Sequence, residues 1–125
     1  ARAQAARLEE LRAATKVPYW AEQVAIQAEV VRGLALRAEG STAQALEVLE
    51  KAAAREDATE KHAVTPGPLV PARELLAYLR LELGDAQAAL ADFRSVLERE
   101  PKRYRAEAGA ARAAELAGSS SRTRR

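Results

Sequence analysis

Apolar side chains recur three and four positions apart along almost the whole of this 125-residue chain, and glycine or proline cuts the stripes at intervals. That spacing matches one turn of an α-helix, whereas a half-buried strand needs alternation at every second residue, a pattern absent here. The chain is therefore expected to be all-α, with about six helices. The first, over 1–15, carries Ala5, Leu8, Leu11 and Ala14 or Thr15 on one side. Val17-Pro18 breaks it, because proline has no amide donor and pushes the preceding residue out of the helical region.

The second helix is predicted over 19–39, with an apolar line of Trp20, Val24, Ala28, Val31, Ala35 and Ala38. Ile26, Val30 and Leu34 lie on a neighbouring face, so this helix should meet partners on two sides. Gly40 ends it where a left-handed backbone is needed. Ser41 with Gln44 three residues on reads as a capping box for a third helix. Ala45, Leu46, Leu49, Ala52 and Ala53 face inward there, to about position 56.

The pattern stops over 57–69, where Pro66, Gly67 and Pro68 mark an irregular connection. Val64, Leu69 and Val70 among its prolines imply an extended segment lying against the helices. A fourth helix follows to Leu83 with Leu75, Leu76, Leu79 and Leu83, and Gly84-Asp85 repeats the stop-and-cap chemistry. The fifth, over 85–100, turns Ala89, Leu90, Phe93, Val96 and Leu97 inward before Pro101. A sixth, alanine-rich helix is expected over 102–117, ending at Gly118. Residues 119–125 read as a disordered basic tail, and 1–118 as one domain.

Composition narrows the function. Alanine supplies much of the apolar content and aromatics only 4 %, which suits closely packed helices rather than a bulky sandwich. The net charge of +2 comes from the ends, while the middle carries slightly more acidic than basic side chains. A nucleic-acid binder concentrates positive charge on a folded face, so this distribution argues against one. The absence of cysteine rules out disulfides and thiolate metal sites and does not choose a compartment. No run is long enough to span a bilayer. No methionine stands at position 1, as expected of a piece of a longer protein.

Gly84 and Gly118 lie 34 residues apart, and Gly40 takes the same role 44 residues before Gly84. The extra ten residues correspond to the 57–69 connection. The chain thus reads as a hairpin over about 19–56, an insertion, a hairpin over about 70–100, and a half repeat over 102–117. In Leu83-Gly84-Asp85-Ala86-Gln87-Ala88-Ala89-Leu90-Ala91-Asp92-Phe93 the turn glycine precedes a small residue, Ala89, and an aromatic, Phe93, with Pro101 closing the helix. Gly33, Ala45, Leu49 and Ala52 stand at the matching places of the earlier hairpin. This pattern resembles the tetratricopeptide repeat (TPR) family over roughly 25–118. Arg73 and Glu29 depart from it where the family often has tryptophan, and Arg80 where it often has tyrosine.

The resemblance implies a right-handed α-solenoid that binds a protein, peptide or helix in a concave groove lined by the first helix of each pair. Carried over position by position, the groove candidates are Gln27, Val30, Leu34 and Arg37, then Glu74, Tyr78, Leu81 and Glu82, then Arg105 and Arg112. The small residues Gly33, Ala45, Ala77 and Ala89 should let paired helices approach closely, with Leu49 and Phe93 filling the space between one hairpin and the next. The chain has no asparagine, so a carboxylate clamp built on asparagines is not expected. The alternative is a structural piece of a larger protein, whose last helix packs on a missing domain or on a second copy in a homodimer.

Catalytic signatures are lacking. His62 is the single histidine, set in Glu60-Lys61-His62, and a metal site needs further ligands at suitable spacing. The serines have no histidine near in sequence to activate them, and there is neither a glycine-rich phosphate loop nor an HExxH sequence. No catalytic residue, metal or cofactor is expected.

Overall fold

The computed structural model of the chain describes residues 1–59 and 67–123. Among them are six α-helices and no strand: α1 (Arg2–Ala14), α2 (Pro18–Ala38), α3 (Thr42–Ala58), α4 (Ala72–Glu82), α5 (Ala86–Arg99) and α6 (Tyr104–Thr123). Packing gathers them into two compact units, Ala1–Ala72 and Arg73–Arg125, where the sequence reads as one domain over 1–118. The proline-rich stretch before α4 separates the two runs of helix.

In the first unit α2 packs against both α1 and α3. Pro18 stands in the first turn of α2, where its missing amide costs nothing. The turn into α3 is a Schellman motif. Gly40 has φ +83°, its amide donates to the Arg37 carbonyl, and Ser41 N donates to the Leu36 carbonyl. Ser41 makes no side-chain cap hydrogen bond, so the expected capping box is not formed. Its carbonyl instead starts the α3 ladder by accepting from Ala45 N.

The second unit repeats that joint. Gly84 has φ +85°, its amide donates to Leu81 and the Asp85 amide to Arg80. Here the cap is complete, because Asp85 Oδ1 accepts from Ala88 N at 3.2 Å. The α5–α6 turn uses another device. Lys102 takes a left-handed φ of +66° after Pro101, a conformation that L side chains rarely adopt.

Gly118 does not share this role. It lies inside α6, without a positive φ, and the helix continues to Thr123. The disordered tail expected over 119–125 is therefore corrected for 119–123. Nothing at Gly118 reverses the chain, and Ser119 satisfies its hydroxyl locally on the Glu115 carbonyl at 2.7 Å. The 34-residue spacing from Gly84 thus joins two glycines with different jobs.

Large side chains seat on glycines of a facing helix. Leu49 of α3 covers Gly33 of α2, where a Cβ would stand 2.7 Å from Leu49 Cγ. The sequence places Leu49 between hairpins; its seat on Gly33 is inside its own hairpin. Phe93 of α5 covers Gly109 of α6, where a Cβ would stand 2.3 Å from the ring. Phe93 is fully buried, in a core with Ala77, Leu81, Ala86, Ala89, Val96, Ala106, Ala113 and Ala117. Alanines on every side let the three helices of this unit close on one ring.

Two opposite outcomes test these contacts. Gly109→Ala should lower stability by about 1–3 kcal/mol, because the methyl must displace a packed aromatic ring. Gly118→Ala meets open space and should raise it by about 0.5–1 kcal/mol through backbone entropy. Urea melts followed by circular dichroism read both, and equal effects would remove the packing argument.

Candidate functional site

Buried charge comes first, because it decides which polar groups are free to act. Glu29, Glu74 and Asp92 are the buried charged residues among those described. In the first unit, Arg55 of α3 reaches two carboxylates seven residues apart on α2. Its Nη1 donates to Glu29 Oε1 at 2.7 Å, while Nε and Nη2 hold both oxygens of Glu22 at 2.9 and 2.6 Å. Lys51 Nζ adds a contact to Glu29 Oε1 at 3.6 Å.

The second unit inverts the arrangement. Asp92 of α5 accepts from two arginines seven residues apart on α4, Arg73 Nη1 at 2.8 Å and Arg80 Nη1 at 2.6 Å. A seven-residue spacing is two helical turns, so both partners lie on the face turned to the bridging group. Arg73 and Arg80 thus have a structural task at the two places where the TPR pattern often has aromatics.

Glu74 is fully buried in the first turn of α4 and pairs with Arg103, which also donates to Glu100 Oε2 at 3.0 Å. Arg105 Nε stands 3.4 Å from the other Glu74 oxygen, which makes no hydrogen bond. Together these contacts fix the strained turn at Lys102. Tyr78 contributes as well. Its hydroxyl donates to the Arg105 carbonyl at 2.7 Å, its ring meets Phe93 edge-on at 4.9 Å, and the Arg105 guanidinium lies 5.4 Å from its centroid.

The groove candidates therefore divide. Leu34, Arg37, Glu82, Arg105 and Arg112 are exposed, and Gln27 is half-buried. Val30, Glu74 and Leu81 are interior, a correction to their reading as groove-lining residues. Leu81 belongs to the Phe93 core, Glu74 is consumed by Arg103, and Val30 lies four residues beyond fully buried Ile26 on the same helix. Tyr78 is half-buried and occupied by Arg105 and Phe93. His62 and most of the 57–69 connection lie outside the described residues. Leu69, expected to pack, is 94 % exposed.

The feature that sequence reasoning missed is the third face of α2. Trp20, Val24, Gln27, Val31, Leu34 and Ala38 follow one another at alternating steps of four and three, the heptad rhythm of a helix-pairing seam. At 100° per residue they fall within a strip about 80° wide and ~27 Å long. Trp20 and Leu34 are 43 % and 37 % exposed; Val24, Gln27 and Val31 are half-buried, and Ala38 is exposed. The sequence-based line placed Ala28 and Ala35 here, but both are buried. Exchanging those alanines for Gln27 and Leu34 gives the strip that stays outward, a choice that spacing alone does not make, because positions 24, 28, 31, 35 and 38 also step by four and three.

Compared with known protein families, characterised proteins and solved structures, the chain matches none. No helix among the described residues is long and apolar enough to cross a membrane. Among the same residues no group of three or more His, Cys, Asp or Glu could hold a metal ion.

Two measurements follow from the ion clamps. The hydrogen bond from Arg55 holds the Glu22 carboxyl below its ordinary value, with partial burial opposing. Its contribution is therefore present above the unfolded value near pH ~4.3 and lost as pH falls through the folded one. Acid titration of thermal stability should show this loss, smaller in Arg55→Met, and identical pH profiles would remove the assignment. Asp92→Ala should cost about 2–3 kcal/mol, because it leaves two arginines facing each other. The figure is moderated by their side chains being about a fifth exposed. A urea melt unchanged by that substitution would show the clamp to be energetically idle.

Proposed function

We propose that this chain is a protein-interaction module built of TPR-like helical hairpins. It binds a peptide or helix and carries out no catalysis. The right-handed solenoid that the TPR resemblance implies is part of the proposal. Two hairpin joints of identical backbone hydrogen-bond pattern, at Gly40 and at Gly84, support the repeat reading.

The observation that carries the binding reading is the α2 seam. A helix already packed against α1 and α3 has no need of a third apolar face for its own fold, yet α2 presents one over most of its length. Apolar side chains left partly exposed in a continuous strip are the usual anchors of recognition surfaces. The spacing favours a helical ligand over an extended one, because successive seam residues can admit side chains of a second helix. Gln27, the one polar member, offers a carboxamide that can fix register. Trp20 and Leu34 supply the larger apolar area.

Trp20 is the only tryptophan and so reports on its own site. A photo-crosslinking residue at position 34 should trap a discrete partner, and one at the exposed Arg94 of α5 should not. The trapped segment, made as a peptide, should shift Trp20 emission to the blue. Leu34→Glu should weaken its binding at least tenfold while leaving the helical signal intact. Equal trapping at both positions, or unchanged affinity in the variant, would overturn the assignment.

A further inference from the structure

We draw no further inference here: the strongest candidate, the basic corner where Lys102, the exposed Tyr104 and Arg105 surround the N-terminus of α6, carries nothing because no second observation there points to a ligand.

Discussion

Two helix pairs in this protein, α2 with α3 and α5 with α6, come together through the absence of a side chain at one chosen point. Leu49 on Gly33 and Phe93 on Gly109 each place a bulky group where the facing helix offers bare backbone. With a Cβ at either glycine, the pair of helices would have to move apart. The alanines around these contacts would then lose the close approach on which their small burial depends. An alanine contributes little by itself, so a core so rich in alanine works only when interaxial distances are short. The glycine seats set those distances.

Once the helices are so close, their charged flanks must be satisfied at short range, and the two units do this in opposite senses. One arginine spans two glutamates in the first, and one aspartate gathers two arginines in the second. In each case the paired groups lie seven residues apart on the same helix, so the bridge fixes both the rotation of that helix and its axial position. Such clamps add less to stability than to specificity, since desolvating each charge offsets much of its attraction. They also engage the buried Glu29 and Asp92, as Arg103 engages Glu74. Of the polar groove candidates read from the sequence, Glu74 and Tyr78 are the ones the fold has already used, whereas Arg37, Glu82, Arg105 and Arg112 stay outward.

One outward strip that is largely apolar is left along α2, with Trp20 and Leu34 as its most exposed large members. A helix that packs on two neighbours generally spends its remaining surface on solvated residues. Here one strip of that surface holds Trp20, Val24, Val31 and Leu34 with Gln27 among them, while Arg32 and Arg37 stand outward on other sides of the helix. That departure from ordinary amphipathic economy is the ground of the proposed helix–helix contact.

The sequence by itself determined the six helices and the glycine joints at Gly40 and Gly84, because helical period, proline geometry and the backbone preference of glycine act within a few residues. Gly40-Ser41 and Gly84-Asp85 were legible for that reason, whereas Gly118 was misread because glycine inside a helix looks the same in a sequence as glycine after one. The tertiary structure alone decided which apolar faces were spent and which were left over. Ala28 and Leu34 are both plausible core residues by composition, and only the positions of α1 and α3 send the first inward and the second toward solvent. Glu74 and Leu81 likewise became interior through partners elsewhere in the chain, Arg103 in the α5–α6 turn and Phe93 of α5, which no local pattern could name. Burial is a property of what surrounds a residue, and the chain writes those surroundings far away along its length.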